Sequence, residues 1–337
     1  MKDKIPDVSI EVFSTCPPSS AVARGRYLRH VIDVARWSEE AGCRGILVYS
    51  DNGLLEPWLL AQIIIQNTAS LCPLVAVQPV YTHPYWVAKM VTSLADLHAR
   101  RVYLNMVAGG FRNDLAALND TAPHDARYDR LLEYTTVVKA LLGTASAVSY
   151  EGVFYRVEKL KLVPPLAPEL FPGIFVSASS EAGLAAARML GATAVKYPKP
   201  SASETVPPDA GIPYGIRVGI IARPTDEEAW QVAHARFPED RRGQLTHQLA
   251  TKTSDSSWHK ELAELSAEAL PDGYWLGPFQ HYQTFCPYLV GSYDRVGEAL
   301  ARYMEAGYTR FILDVPGAPD DLRHTSLGFQ KAVEVTR

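Results

Sequence analysis

Cysteine is scarce in this chain, with four residues among 337, scattered at Cys16, Cys43, Cys72 and Cys286. No two of them form a Cys-x-x-Cys pair, which argues against a zinc knuckle or a thioredoxin-like redox pair. We therefore expect no metal site. Isolated cysteines are typical of a reducing cytosol, where each serves as a small buried hydrophobe.

Long apolar runs and an excess of basic charge are also missing. No apolar run reaches the length of a membrane span, and residues 1–13 contain neither an apolar signal core nor a small-residue cleavage site. The net charge of −4 argues against a nucleic-acid surface. We expect a soluble cytoplasmic protein that binds neither membrane nor nucleic acid.

The third absence is a Gly-x-Gly-x-x-Gly fingerprint after the first predicted strand, which argues against a Rossmann dinucleotide fold. The chain instead alternates short apolar runs with amphipathic stretches. The runs predict strands at residues 8–14, 46–50, 74–80, 102–107, 173–177, 193–196, 212–222 and 310–315. The stretches predict helices at residues 26–41, 57–68, 84–97, 128–142, 181–190, 225–235 and 296–306.

This alternation predicts an α/β fold with parallel strands and right-handed crossovers. About eight such units favour a closed (β/α)8 barrel over a doubly wound open sheet, as one domain spanning residues 1–337. Two insertions interrupt the rhythm, a hairpin near 148–157 and an aromatic-rich, irregular segment at 236–290. The active site of a barrel lies at the carboxyl ends of its strands.

Three strand ends carry polar or small residues. Asn105 points into the predicted barrel, where its amide needs either backbone partners or a heterocyclic ligand, and Gly109 lets the backbone approach a flat ligand. Asp125 is placed to cap the helix that follows. Residues 177–183 put small hydroxyls at a strand-to-helix junction, which serve as an ordinary helix cap or as a phosphate site.

Together these segments resemble the luciferase-like flavin monooxygenases. The resemblance lies in residues 101–110, 124–128, 150–156 and 177–182. Residues 214–217 and 220–230 are similar to the alkanesulfonate monooxygenase branch. The resemblance implies a TIM barrel that uses reduced FMN, delivered by a separate NAD(P)H-dependent flavin reductase, and O2 as co-substrate. A flavin (hydro)peroxide then oxygenates a small organic substrate, in a protein expected to be a homodimer or homotetramer.

The resemblance also assigns cofactor-binding residues. Asn105 is expected to face the isoalloxazine ring. Tyr128, Ser179 and Ser180 are expected near the phosphate. The residues expected beside the flavin ring or at the same mouth are Ser50 and Asp51, ending the second strand, and Gln78 in the third.

Candidate catalytic residues are Arg217, His83, His281 and Tyr282. Arg217 lies in an apolar strand, on the face of Gly215 and Gly219, and must meet an anion there. It is either an anion clamp or the partner of a barrel carboxylate. The aromatic residues of segment 274–288 predict a lid over the substrate, packing of the insertion, or a dimer surface.

The chain departs from the alkanesulfonate enzymes at three places. They carry a His where Gly219 stands, a Cys in the region 52–57, and an Arg near Tyr282. The substrate is therefore expected to differ, and hydroxylation, Baeyer–Villiger insertion, N-oxygenation and C–S cleavage stay open. The alternative functions are a deazaflavin-dependent oxidoreductase on the same barrel and a flavin-binding protein without turnover.

Overall fold

The computed structural model describes residues 10–109, 112–205, 211–245, 262, 265 and 270–336. Contacts between residues divide the chain into two compact units. Unit 1 comprises Met1–Thr15, Arg36–Gly45 and Val195–Arg337, and unit 2 comprises Cys16–Ala35 and Ile46–Ala194. The expectation of one domain over the whole chain stays a prediction.

Strands and helices alternate along the chain as the sequence predicts. The strands are β1 (Glu11–Thr15), β2 (Gly45–Val48), β3 (Cys72–Val77), β4 (Tyr103–Met106), β5 (Val148–Glu151), β6 (Arg156–Leu160), β7 (Ile174–Ser177), β8 (Thr193–Lys196), β9 (Tyr214–Arg223), β10 (Tyr274–Trp275), β11 (Tyr288–Ser292) and β12 (Tyr308–Leu313). The helices are α1 (Arg24–Glu40), α2 (Pro57–Gln66), α3 (Pro84–His98), α4 (Arg112–Ala117), α5 (His124–Leu142), α6 (Glu181–Leu190), α7 (Asp226–Arg236), α8 (Gly277–Gln280), α9 (Tyr293–Glu305) and α10 (Pro319–Val335).

The main sheet runs in the order β10-β11-β9-β12-β1-β2-β3-β4-β7-β8, and β9 also pairs with β8. That additional pairing closes a ring of eight strands, which confirms the (β/α)8 barrel and excludes the open sheet. The predicted hairpin is β5–β6, a separate antiparallel pair.

In unit 2, strands and helix ends follow the local sequence. All six residues of β3 are buried, as expected for a parallel strand covered on both faces. Pro57 and Pro84 occupy the first turns of α2 and α3, where a missing N–H has no consequence. Ser180 caps α6 and Gly191 ends it in the left-handed region, so this helix matches its prediction.

Besides its pairing with β8, the ten-residue strand β9 pairs with two further strands, both in unit 1. Its first half, up to Val218, pairs with β12, and its second half, from Gly219 on, pairs with β11. Thr225 caps α7 by accepting a hydrogen bond from the Glu228 N–H, as its sequence predicts.

Several elements differ from the predictions. Helix α5 begins at His124 rather than Tyr128, with Pro123 as its N-cap, so the prediction that Asp125 caps it is wrong. The first turn of α5 has too few apolar residues to show the helical repeat of 3.6 residues in the sequence. Strand β11 begins inside the segment 236–290 that was predicted to be irregular. Helix α10 was not predicted, because Thr325, Ser326 and Gly328 interrupt the apolar stripe of its buried face.

All four cysteines are buried and free, as expected. Among the described helices, none combines the length and apolarity that crossing a membrane requires.

Candidate functional site

Asn105, the third residue of β4, carries a buried side-chain oxygen that is an unsatisfied hydrogen-bond acceptor among the described residues. Its strand neighbours are Ala76 in β3 and Phe175 in β7. The Oδ1 atom is fully buried and accepts no hydrogen bond from any described residue. Leaving such an oxygen without a donor costs about 1–3 kcal/mol. A folded chain that retains this amide is therefore prepared for a donor that a ligand brings.

The loops after β2 and β3 carry the residues that were predicted to lie beside the flavin ring. The Gln78 side-chain amide donates to the Ser50 carbonyl at 2.9 Å. Asp51 accepts from the Gly53 N–H at 2.7 Å, which fixes its carboxylate. Since β2 ends at Val48 and β3 at Val77, Ser50, Asp51 and Gln78 lie in loops, just beyond the strands to which they were assigned.

The Asp51 carboxylate and Asp114 of α4 place negative charge around these loops. The Tyr81 hydroxyl donates to Asn52 at 2.6 Å, and the Asn52 amide donates to the Asp114 carbonyl at 3.1 Å. Burial and the nearby Asp51 carboxylate raise the pKa of Asp114. Burial, with Asp51 next in importance, raises the pKa of Tyr81 to about 12. Tyr81 therefore stays protonated and serves as a donor at neutral pH.

The predicted phosphate segment is held against Tyr128. The Tyr128 hydroxyl donates to the Ser177 carbonyl at 3.0 Å, and Ser180 accepts from the Gly183 N–H at 3.2 Å as the N-cap of α6. A Cβ on Gly183 would lie 2.8 Å from the Ser177 carbonyl oxygen and 3.1 Å from the Tyr128 ring. Only glycine allows this close packing. Ser179 lies, half-buried, between the strand end and the cap.

Arg127 adds a buried cation to this segment. It is 5% exposed and donates from Nη1 to the Ala122 carbonyl at 3.0 Å. Burial raises the pKa of Tyr128, while the Ser180 hydrogen bond and the Arg127 charge oppose the rise. Arg127 was not among the predicted site residues, although it belongs to the motif at 124–128.

These residues of unit 2 fit a flavin mononucleotide. A ring edge with a polar N–H suits the open Asn105 oxygen. Small hydroxyls, a helix N-terminus and a buried arginine suit a phosphate. The helix-cap and phosphate interpretations of Ser180 are compatible, because the cap uses one hydroxyl lone pair and leaves other N–H groups of the first turn available.

His83 caps α3, accepting from the Tyr85 N–H through Nδ1 at 3.2 Å. Its exposed ring stands edge-on to Tyr155 of the hairpin, with centroids 6.2 Å apart. Glu133 positions that hairpin by accepting from the N–H groups of Val153, Phe154 and Tyr155 at 2.8–3.2 Å. This contact of the insertion could not be foreseen from sequence spacing.

In unit 1, Arg217 is 5% exposed and lies 3.4 Å from Asp314, measured from Nη2 to Oδ1. The other carboxylate oxygen accepts from Thr284 at 2.5 Å and from Tyr288 at 2.7 Å. Burial raises the pKa of Asp314, but the Arg217 charge and the two hydroxyl donors outweigh it, so the net pKa is lowered. The barrel carboxylate expected as one alternative for Arg217 is therefore Asp314.

Tyr288 accounts for a departure from the alkanesulfonate pattern. A Cβ on Gly219 would lie 2.3 Å from the Tyr288 ring, measured to Cζ. The tyrosine ring thus fills the space above Gly219 and leaves no room for a histidine there. Its hydroxyl reaches Asp314, so the position contributes to the Arg217 network.

His281 and Tyr282 follow the short helix α8. The Nδ1 atom of His281 is buried and has no hydrogen-bond partner among the described residues. Tyr282 adopts the left-handed region at φ 58° and packs edge-on against Phe285, with centroids 5.7 Å apart. The catalytic roles of Arg217, His83, His281 and Tyr282 stay predictions.

Known proteins resemble this chain over most of its length. Residues 10–310 match the family model described as luciferase-like monooxygenase. The 4-(gamma-L-glutamylamino)butanoyl-[BtrI acyl-carrier protein] monooxygenase BtrO of Niallia circulans is 35% identical over 310 residues, which cover 89% of this chain and 90% of the relative.

Two solved structures share the fold at low identity. Long-chain alkane monooxygenase LadA superposes with a TM-score of 0.74 at 17% identity, covering 98% of this chain and 93% of its own. EDTA monooxygenase EmoA from Chelativorans sp. BNC1 gives 0.73 at 17% identity, with 96% and 94% covered. The monooxygenase relatives indicate an oxidoreductase. The family model and the 35% identical relative together show that the chain belongs to the luciferase-like monooxygenase family.

Proposed function

We propose that this chain is a two-component monooxygenase that uses reduced FMN, delivered by a separate NAD(P)H-dependent flavin reductase, and O2. The observation that carries the proposal is the buried Asn105 oxygen at the carboxyl end of a barrel strand, to which no described residue donates a hydrogen bond. When bound, reduced flavin supplies the activation of oxygen, which no side chain can perform.

The chain's own residues bind and orient the cofactor. Asn105 would accept a hydrogen bond from the flavin ring, and Ser50, Asp51 and Gln78 would line the ring from loops that the Gln78–Ser50 and Gly53–Asp51 hydrogen bonds fix. The residues that hold the phosphate are Tyr128, Ser179 and Ser180, with the charge of Arg127 behind them.

Arg217 is proposed as a permanent positive charge for anionic groups that form during the reaction, since guanidinium stays protonated even when buried. Asp314 holds it in place. His83 accepts through Nδ1 in its helix cap, so Nε2 carries the proton of the neutral ring and is the donor. His281 and Tyr282 are the remaining candidates for proton transfer.

The substrate proposed is an acyl group held as a thioester on a carrier protein. The relative from Niallia circulans acts, by its name, on a carrier-bound 4-(gamma-L-glutamylamino)butanoyl group. The filling of the space above Gly219 by Tyr288 separates the chain from the alkanesulfonate pattern.

Self-association is proposed through α2 and α3. Helix α2 contains no charged residue, and its Leu59 is 62% exposed. On α3, Trp86 and Leu97 are 48% and 69% exposed and share one face, because eleven residues make about three helical turns. Large apolar side chains exposed together on a helix surface mark protein interfaces, which supports the expected homodimer or homotetramer.

Replacing Asn105 tests the central observation. Asn105→Leu has similar volume and removes the oxygen that lacks a donor. We expect the unfolding free energy of the ligand-free protein to stay level or rise by about 1 kcal/mol. The Kd for reduced FMN, measured by anaerobic fluorescence titration, should rise at least about tenfold.

The matched control is Thr135→Val in α5, which removes a buried hydroxyl that already donates to the Leu131 carbonyl at 2.7 Å. It should lower stability and leave the FMN affinity unchanged. An Asn105→Leu protein that binds reduced FMN as tightly as wild type would exclude Asn105 from the cofactor site.

A further inference from the structure

We infer that the first turns of α1, with the adjoining loop before α2, form the docking surface for an acidic carrier domain that presents the substrate. The inference rests on the proposed carrier-bound substrate. We call this surface, formed by Arg24, Arg26, Leu28, Arg29 and Leu55, the α1 rim.

The α1 rim is strongly basic by position. Arg24, Arg26 and Arg29 are exposed within the first six residues of α1, and the first turn contains no acidic residue. Between Glu11 and Asp33 the sequence has no carboxylate. Asp33 pairs with Arg29 at 3.2 Å, whereas no ion pair joins Arg24 or Arg26 to another described residue.

These cations stand at the unfavourable end of a helix. The N-terminus carries the positive end of the helix dipole, where acidic residues stabilise and cations destabilise by about 0.3–1 kcal/mol. Two exposed arginines in that turn weaken the isolated protein. They strengthen the attraction for an acidic partner, because the dipole and the guanidinium charges then act in the same direction.

Apolar side chains complete the α1 rim. Leu28 and Leu55 are each 55% exposed. The Leu55 N–H donates to the Ser19 hydroxyl at 3.0 Å, which joins the loop before α2 to the segment before α1. An exposed leucine flanked by arginines is the composition of an interface core with a charged edge.

The rim adjoins the candidate cofactor residues within unit 2. The Cys16 N–H donates to the Leu47 carbonyl at 2.8 Å, which places the segment leading to α1 beside the end of β2. Asp51 and Asn52 belong to the same loop as Leu55. A carrier domain docked on the rim therefore delivers its flexible arm to the end of the barrel where the strands finish.

Overall charge explains why a local surface is needed. The chain has a net charge of −4, so an acidic partner is repelled by the molecule as a whole. Binding then depends on a confined basic patch that sets the partner's orientation.

The experiment compares one acyl group in two forms. The probe is an acidic carrier domain charged with the 4-(gamma-L-glutamylamino)butanoyl group, and the second form is the same acyl group on free pantetheine. Reversing two charges, Arg24→Glu with Arg26→Glu, should raise KM for the carrier-bound form at least about tenfold. The KM and kcat for the pantetheine form should stay within about twofold.

The control reverses two exposed charges elsewhere, Arg156→Glu on the hairpin with Arg323→Glu on α10, which are 72% and 48% exposed. It should behave as wild type with both forms. Equal effects of the two double variants, or loss of activity with the pantetheine form as well, would overturn the docking surface.

Binding without turnover separates this inference from the proposed function. Titration of the carrier domain into the cofactor-free protein, followed by calorimetry, should give a measurable Kd. The Arg24→Glu, Arg26→Glu variant should raise that Kd, and added salt should raise the Kd of the wild-type protein. If wild type binds the carrier domain but oxygenates neither form, the docking surface stands and the proposed substrate falls. A wild-type protein that does not bind the carrier domain would refute the docking surface.

Discussion

At the residue scale, the buried ion pair of Arg217 and Asp314 affects both the stability of the fold and the proposed catalysis. Asp314 accepts from Arg217, Thr284 and Tyr288, so its carboxylate is well satisfied. Removing the arginine leaves a buried anion held by two hydroxyls, which destabilises a protein by about 3–5 kcal/mol. A loss of activity in an Arg217 variant therefore has to be separated from a loss of folding.

We predict that Arg217→Ala lowers oxygenation turnover at least about hundredfold, because a preorganised charge near the reacting groups contributes at that level. Its Kd for reduced FMN should stay within about threefold of wild type. Turnover and affinity are measured at a temperature where circular dichroism shows the variant folded.

Asp314→Asn supplies the comparison, because it breaks the same ion pair but keeps the arginine charge. It should lose stability and retain far more turnover than Arg217→Ala. Unchanged turnover in folded Arg217→Ala would remove this residue from the mechanism, and equal losses in both variants would make the pair purely structural.

At the element scale, the junction of β7 with α6 shows what a sequence can disclose. The small hydroxyls of residues 177–183 predicted the junction at which α6 begins, and Ser180 is the cap there. The contact of Tyr128 with the Ser177 carbonyl joins residues 49 apart and depends on packing that no local pattern encodes. The hairpin was predicted, but its attachment through Glu133 was not, for the same reason.

We predict that Gly183→Ala disrupts the phosphate site. The new Cβ would push α6 away from the Ser177 carbonyl and the Tyr128 ring. Affinity for FMN should fall about tenfold or more, whereas affinity for riboflavin, which lacks the phosphate, should change within about twofold. Paired titrations with the two flavins measure this difference.

The control is Gly25→Ala in α1, where an added Cβ meets nothing within 4 Å. It should leave flavin binding unchanged and stabilise the helix slightly. Equal loss of both flavins in Gly183→Ala would indicate general distortion rather than a phosphate site.

A second element-scale prediction concerns the bond between α7 and α9. The Arg295 side chain, through its hydrogen bonds, lowers the pKa of Asp226 to about 2. A carboxylate whose folded pKa lies below its unfolded value stabilises the fold above the unfolded pKa, near 3.8, and loses that contribution as pH falls through about 2. The destabilisation by Asp226→Asn should therefore be full above pH 5 and shrink toward pH 2.

Urea unfolding at several pH values measures this dependence. Asp33→Asn is the control, since Asp33 pairs with an Arg29 side chain that is 80% exposed, and such pairs contribute little. A destabilisation by Asp226→Asn that is constant across the range would show that the Arg295 contact does not depend on the carboxylate charge.

At the scale of the whole molecule, the eight-unit alternation predicted the barrel, because parallel strands and covering helices leave a period that spans the chain. The C-terminal helix α10 was not predicted, because Thr325, Ser326 and Gly328 interrupt the apolar stripe that Leu322, Phe329 and Val333 form on its buried face. The packing of the Tyr288 ring over Gly219 was not predicted, because only the fold brings these two positions together. The family was predicted from the order of the sequence motifs, and hydrophobic periodicity and charge alone would not have identified it.

The central claim is that the barrel binds reduced FMN and directs it to react with oxygen. The most direct measurement is anaerobic titration of the protein with reduced FMN, followed by mixing with oxygenated buffer in a stopped-flow spectrometer. We predict saturable binding and a transient absorbing species that differs from both reduced and oxidised flavin. No binding of reduced FMN, together with binding of a deazaflavin, would contradict the account and assign the chain to hydride transfer.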